Sequence, residues 1–254
     1  MKKIAIVTGA SGGLGKEFVN LLVNKELDEV WAIGRNMDKL ELLREQYGKK
    51  IVPLSLELSK KEAIEDVKQL LLTEKPVVEY LINNAGIGRM GKFEEFSEEE
   101  VEEYLAINCK AAINLCICTV PYMKKGSRIL NISSQASFQP NPYLNLYSAT
   151  KAFLTSYSRS LNVELSKKGI SVTAVCPGWI DTELLSKEWN GKEVHFPGMV
   201  QAAPVARKAM KDADRGRDMS VYGTFVKTMQ LFSKIFPHRV VMASWVAGIE
   251  RYEK

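Results

Sequence analysis

Ser134, Tyr147 and Lys151 are the residues of this chain whose types and spacing can do chemistry together. Tyr147 and Lys151 stand in Tyr-Ser-Ala-Thr-Lys, four positions apart. On a helix that spacing puts both side chains on one face, one turn apart. A phenol with a pKa of about 10 is a poor acid–base group near neutrality. A nearby ammonium favours the phenolate, so Lys151 is expected to lower the Tyr147 pKa. A serine hydroxyl at the same spot can hold a substrate oxygen. The three outline a proton-transfer site, and such a site needs a redox partner.

The elements that must position them begin at the N-terminus. Lys2 to Val7 reads as a short buried strand, and Lys16 to Val23 is helical in pattern. Between them lies Thr8-Gly9-Ala10-Ser11-Gly12-Gly13-Leu14-Gly15. Strand, glycine-rich turn and helix form the context in which a glycine motif binds a pyrophosphate. Small residues admit the ligand, and the helix N-terminus offers free N–H groups and a positive dipole end. The other reading of this turn is a tight connection between packed elements. Further strands are expected at 29–33, 51–56, 78–83, 128–133, 170–176 and 219–222. Helices are expected at 38–47, 59–72, 97–123 and 147–168. Short continuous apolar strands alternating with helices argue a parallel sheet covered on both faces. Ligands in such sheets bind beyond the carboxyl ends of the strands, where every motif above falls.

The chain has 254 residues, 46% of them hydrophobic, which suits one α/β domain with a sizeable core. It has no Pro/Gly/Ser-rich linker, repeat or low-complexity tract. Its net charge of +5 is small against 35 basic and 30 acidic residues. No basic stripe interleaves with aromatics, which argues against a nucleic-acid partner. The acidic run from Glu94 to Glu103 reads as a solvated helix start, with Ser97 as N-cap and Glu100 completing a capping box. Cys109, Cys116, Cys118 and Cys176 include no C-x-x-C pair, and two histidines do not complete a zinc site with them. They read as reduced core thiols of a cytoplasmic protein. The apolar run after Lys3 is too short for a signal peptide. The sequon at Asn131 lies in an expected buried strand and is discounted.

Thr8-Gly9-x-x-x-Gly13-x-Gly15, Asn83-Asn84-Ala85-Gly86, a serine thirteen before a tyrosine, and Tyr147-x-x-x-Lys151 occur in this order up to about Thr182. In this set the chain resembles the short-chain dehydrogenases/reductases, among them NADP-preferring hydroxysteroid dehydrogenase and carbonyl reductase members. The resemblance implies a doubly wound Rossmann fold, with helices on both faces of a parallel sheet of about seven strands. It implies one catalytic domain over 1–254 and reversible hydride transfer between a nicotinamide cofactor and a ketone or secondary alcohol.

Residue roles follow from the same resemblance. Tyr147 is the general acid or base. Lys151 lowers its pKa and bonds the nicotinamide ribose. Ser134, at the family spacing, binds the carbonyl oxygen; adjacent Ser133 is expected to point away on an extended chain. Asn108 completes a proton relay, and a polar residue in an apolar helix fits that role or a local helix distortion. Gly9, Ser11, Gly12, Gly13, Leu14 and Gly15 surround the pyrophosphate. Asn84, Ala85 and Gly86 line the adenosine side, and Asn83 is as readily structural. Glu57 and Leu58 take the adenine-contacting position, where Glu57 departs from the family aspartate. After the sixth strand, Pro177, Gly178, Ile180 and Thr182 match the segment that holds the nicotinamide carboxamide. Thr182 is equally a helix N-cap.

The second strand ends Gly34-Arg35-Asn36, with Arg35 where an NAD site places an acid. A carboxylate repels the extra phosphate of NADP, and a guanidinium grips it bidentately. Arg35 therefore points to NADP(H), with Asn36 beside it as a further cofactor-binding position, the alternative for Arg35 being a solvated turn.

The resemblance makes about 179–215 a substrate lid. Its Leu184, Leu185, Trp189, Phe196, Pro197 and Met199, with Phe138, Pro140, Pro142 and Tyr143, form an apolar mouth or pack the lid down. The first reading points to a steroid, bile-acid, fatty or aromatic carbonyl. An apolar tail over about 224–254 carries Phe225, Met229, Phe232 and Phe236 at helical spacing, then Val240 to Ile249. It is too short in apolar residues to span a bilayer. Subunit interface, cover over the mouth, core packing and membrane-surface contact are its readings. A homodimer or homotetramer built on the long helices is the family expectation, and Ile113 to Val120 fits that or a core face. Two other functions compete: a 3-oxoacyl-carrier reductase, with Arg207, Lys208 and Lys211 facing an acidic carrier, and a non-catalytic NADP-sensing regulator.

Overall fold

The computed structural model describes residues 1–183, 185, 188, 189 and 191–253, the last four by backbone alone. The first half alternates β1 (Lys3–Thr8), α1 (Gly13–Val23), β2 (Glu29–Gly34), α2 (Met37–Tyr47), β3 (Ile51–Ser55), α3 (Lys61–Glu74) and β4 (Val77–Asn83). Then come α4 (Glu98–Leu105), α5 (Ala112–Thr119), β5 (Arg128–Ile132), α6 (Asn145–Ser166) and β6 (Ser171–Val175). The last part holds the small hairpin β7 (Glu188–Trp189) and β8 (Lys192–Glu193), α7 (Ala202–Asp214), β9 (Met219–Ser220), α8 (Thr224–Ile235) and α9 (His238–Glu253).

Seven strands form one sheet in the order β3-β2-β1-β4-β5-β6-β9, with every pairing parallel. The central strands are mostly apolar because both faces are covered: Ile4 to Val7 of β1 are fully buried. One face packs Phe18 and Leu22 of α1 and Val205, Ala209 and Met210 of α7. The other packs Ile64 and Leu71 of α3 with Leu115 and Cys116 of α5. This is the doubly wound α/β architecture expected from the alternation. The order reverses between β1 and β4, so the glycine turn and the Asn84–Gly86 segment leave neighbouring strands at the switch point, where such sheets bind ligands.

Three differences bear on the site. The long helix expected over 97–123 is broken into α4, a π-helical turn at Ala106–Ala111, and α5. Its start carries the capping box: Ser97 Oγ accepts the Glu100 N–H, and the Glu100 carboxylate accepts the Ser97 N–H. The lid reading over 179–215 extends too far, because α7 falls inside it while its Val205, Ala206, Ala209 and Ala213 belong to the core beside α1. The run from Glu98 to Tyr122 has the length and composition of a membrane span, but 56% of its apolar window is buried inside the fold.

All four cysteines are buried free thiols, and burial pushes each thiol up, Cys116 to about 12 and Cys118 to about 11. They pack as small hydrophobes. Asn131 is fully buried, its amide shared between Asn83 and Ser158, as the discounted sequon requires.

Candidate active site

Strand β5 delivers two serines to the end of the sheet, and its pleat separates them. The Ser133 hydroxyl donates to the Lys151 carbonyl at 2.8 Å and lies 2.6 Å from Thr155 Oγ1, so it is spent on anchoring α6. Ser134 turns the other way. Its Oγ accepts the Ala136 N–H at 3.1 Å, capping a short 3-10 turn, and it faces the Tyr147 phenol as a hydrogen-bond partner.

Helix α6 starts at Asn145, which puts Tyr147 in its first turn and Lys151 one turn deeper. Lys151 is 3% exposed, and its Nζ donates to the Ile132 carbonyl at 2.8 Å, 5.5 Å from the centre of the Tyr147 ring. Burial pushes the Lys151 ammonium down to about 8. Burial likewise pushes the Tyr147 phenol up to about 12, opposed by the hydrogen bond from Ser134. The lowering expected from Lys151 does not act here: burial sets the direction, and the one opposing cause is Ser134. The ammonium is turned toward a backbone carbonyl, and desolvation of the phenolate dominates.

Asn108 sits in the π-helical turn and is 1% exposed. Its Oδ1 accepts the Ile87 N–H at 2.9 Å, and its Nδ2 donates to the Ile87 carbonyl at 2.9 Å and Thr150 Oγ1 at 3.1 Å. A polar side chain in an apolar helix has found partners by locally widening that helix. The distortion clamps the segment after β4 to α6. A Cβ added at Gly86 would stand 3.1 Å from Lys151 Nζ and 3.2 Å from Asn108 Oδ1, so Gly86, Asn108 and Lys151 meet at one point.

From that point a cleft of about 290 Å³ runs along the strand ends. Gly9, Ser11 and Gly12 line it from the turn, Arg35 and Asn36 from β2, Glu57 and Leu58 from β3, and Ala85 and Gly86 from β4. Helix α1 opens onto this turn at Gly12, with no side-chain cap and no acid in its first turn, so its N–H groups and positive end stay free for an anion. The glycines here are sterically required. Gly13 has φ +45°, and a Cβ on Gly15 would stand 2.0 Å from the Gly9 carbonyl oxygen. These residues fit a dinucleotide: anion-binding N–H groups at one point, an exposed guanidinium at one end, and the Tyr147–Lys151 pair at the other.

Other expected site residues are near the cleft but serve it indirectly. Leu14, in the first turn of α1, is buried in the core. Asn84 Nδ2 donates to the Thr8 and Gly9 carbonyls at 3.1 Å, fixing the turn from behind. Asn83 donates to Asn131 Oδ1 at 2.8 Å, a structural tie between β4 and β5. Pro177 accepts the Gln135 N–H at 2.7 Å, Gly178 packs on Val226, and Ile180 bridges to Val200. Thr182 rests its methyl against Gly13. The Asn36 side chain caps α2 through the Lys39 N–H.

Two residues were missed by sequence reasoning. Lys39, in the first turn of α2 and four positions after Arg35, lines the cleft, and its Nζ reaches Glu183 at 2.9 Å across the cleft edge. Its signal was present, because an Asn36 N-cap places Lys39 on the first turn of α2. Gly88 has no motif signal. A Cβ there would lie 2.5 Å from Tyr147 Cδ2 and 2.8 Å from Cε2. Gly88→Ala is therefore expected to displace the ring and lower kcat by about tenfold to a hundredfold, with an unchanged circular-dichroism spectrum. Turnover equal to the wild type would show that the ring has room to spare.

A separate aromatic cluster joins the expected lid to the segment before α6 and to α9. Trp179 packs on Phe196 at 4.7 Å between ring centres, and Tyr143 meets Trp189 at 5.6 Å. Trp245 of α9 stacks over Trp179 at 6.2 Å and donates its indole N–H to the Pro142 carbonyl at 2.8 Å. Tyr143 holds φ +64°, a strained value for a side-chain-bearing residue. Leu184 lies outside the described residues.

Comparison with known proteins agrees with this geometry. The chain is 30% identical over 201 residues to the 3-oxoacyl-[acyl-carrier-protein] reductase FabG of Chlamydia trachomatis, covering 74% of this chain and 81% of that one. A short-chain dehydrogenase from Sphingobium yanoikuyae, solved with NADPH, superposes with a TM-score of 0.77 at 25% identity over 96% of each chain. A 3-ketoacyl-(acyl-carrier-protein) reductase from Brucella melitensis, solved with NADH, shares the fold with a TM-score of 0.75 at 22% identity over 86% of this chain and 95% of that chain. The short chain dehydrogenase profile matches residues 3–193, most of the chain, and the protein therefore belongs to the short-chain dehydrogenase family of oxidoreductases that bind a nicotinamide cofactor.

Proposed function

We propose that this protein catalyses reversible hydride transfer between NADP(H) and a hydrophobic ketone or secondary alcohol. The observation that carries the reading is Gly86, which lines the nucleotide-sized cleft and abuts the Lys151 ammonium at its end. The bound nicotinamide would supply or accept the hydride. Tyr147 donates its phenolic proton to the ketone oxygen, or takes the alcohol proton in the reverse direction. Ser134 holds that oxygen and stabilises charge developing on it. Lys151 fixes the cofactor end of the site, and Asn108 holds the relay geometry through Ile87 and Thr150. The Tyr143–Trp189 and Trp179–Phe196 walls favour an apolar substrate.

Arg35 and Lys39 together favour NADP. Both are exposed cations on the cleft and no carboxylate stands at the end of β2, although Lys39 is paired with Glu183, so Arg35 carries most of the argument. Arg35→Asp is expected to weaken NADPH binding by about tenfold to a hundredfold and leave NADH binding nearly unchanged. Lys39→Ala is expected to weaken NADPH binding less. Fluorescence titration with both cofactors checks this, and a wild type that prefers NADH overturns it.

The 3-oxoacyl-carrier reading keeps one support, the FabG relative. Its proposed basic patch is thinner than expected because Lys208 is paired to Asp212 within α7. An NADPH-oxidation screen with steroid, aromatic and 3-oxoacyl substrates separates the two. The regulator reading has no support from the site, since Tyr147 and Lys151 are both in place. We further propose a single catalytic domain, a cytoplasmic location and self-association through the exposed Leu105, Ile117, Phe153 and Val163 of α4–α6.

A further inference from the structure

The carboxyl-terminal helices carry a feature that catalysis does not use. From Met219 to Ile249 the sequence contains no Asp or Glu, but it contains Lys227, Lys234, His238 and Arg239. Helices α8 and α9 meet at Phe236-Pro237 in a hairpin. Around that tip Leu231 is 58% exposed, Ile235 64%, Phe236 43% and Val240 47%. Lys227, Lys234, His238 and Arg239 are exposed among them. The base of the hairpin is anchored. Val226, Val241 and Ile249 are buried, and Trp245 bonds the Pro142 carbonyl and stacks on Trp179. The exposed apolar tip is therefore held out from a fixed base.

We propose that this tip docks on an anionic lipid bilayer, lying in its surface. Three observations choose that occupant. Apolar and cationic side chains share one exposed surface, which matches a membrane with an apolar interior and a negative face. A second copy packed tip to tip about a twofold axis would bring the same cations together with no acid between Met219 and Ile249 to pair them. The helices have 12 and 16 residues, about 18 and 24 Å long, which suits lying on a bilayer rather than crossing its roughly 30 Å core. Docking would bring the bilayer close to Trp245, which covers the Trp179–Pro142 side of the apolar mouth. The proposal stands whether or not the substrate assignment does, because it rests on the hairpin alone.

The test is sedimentation of the 254-residue protein with vesicles of phosphatidylcholine, alone or mixed with phosphatidylglycerol. Binding to the mixed vesicles is expected at low salt, with weaker binding to the neutral ones and loss at molar salt. Leu231→Asp with Ile235→Asp, and separately Lys234→Glu with Arg239→Glu, should each reduce binding by roughly tenfold or more. All these positions are exposed, so circular dichroism and NADPH titration should match the wild type. Leu72→Asp, at an exposed position of α3 outside the hairpin, should bind vesicles normally. Equal partition of wild type and tip variants overturns the proposal. So does a concentration-dependent dimer that the tip substitutions abolish while vesicle binding is absent.

Discussion

Tyr147→Phe is expected to lower turnover by about 10²–10⁴-fold in both directions, the range a positioned general acid–base group contributes. The substitution removes one oxygen and keeps the ring that packs on Gly88. It leaves Ser134 capped by the Ala136 N–H, so the loop after β5 keeps its shape. Tyr147 does not line the 290 Å³ cleft, so NADPH affinity should change by less than a few-fold. Loss of kcat with retained cofactor binding is thus the signature. Burial holds the phenol neutral, with its pKa pushed up to about 12. A neutral phenol is the form that donates to a ketone. Ketone reduction should therefore stay nearly level across neutral pH, while alcohol oxidation, which needs the phenolate, should rise with pH. A Phe variant with near-wild-type turnover would falsify the assigned chemistry.

Much of this site was legible because its signals are local. The strand–turn–helix context at residues 8–15 fixes where the free N–H groups point, and the four-residue spacing of Tyr147 and Lys151 fixes a shared helix face. The pleat separates Ser133 from Ser134, and the structure shows where Ser133 goes, to Lys151 O and Thr155. What the sequence hid depends on contacts between distant segments. The Tyr147 pKa direction was misread because sequence shows the neighbouring charge but not the burial. The lid ends earlier than its expected bounds because Val205, Ala206, Ala209 and Ala213 join the core only when α7 packs against α1. Gly88 carries no motif meaning, and its requirement exists only when the Tyr147 ring lies against it. The polar residue in the apolar helix announced a distortion, and the partner that explains it, Ile87, lies 21 positions earlier.

Lys151→Met is expected to give a protein that is more stable and inactive. The ammonium is almost fully buried, faces one carbonyl and has its pKa pushed down from 10.5 to about 8. At about 1.4 kcal/mol per unit, that shift makes the buried charge cost the folded state roughly 3 kcal/mol near neutrality. Methionine fills a similar volume without the charge, at the expense of leaving the Ile132 carbonyl unpaired, about 1–2 kcal/mol. The net gain is about 1–2 kcal/mol, or a few degrees in Tm for a chain of this length. The pH dependence identifies the cause. Below pH 8 the lysine is protonated in both states and the penalty is full. Between about 8 and 10.5 the unfolded chain binds the proton and the folded one does not, so wild-type stability rises with pH relative to the variant. The variant's advantage should shrink by roughly 2 kcal/mol between pH 7 and 9.5, and Tyr147, present in both proteins, cancels. Thermal melts at the two pH values measure this. A variant less stable than wild type at pH 7, or a gap that does not close at high pH, would mean that Lys151 is held without strain and that its burial is not part of how the site is tuned.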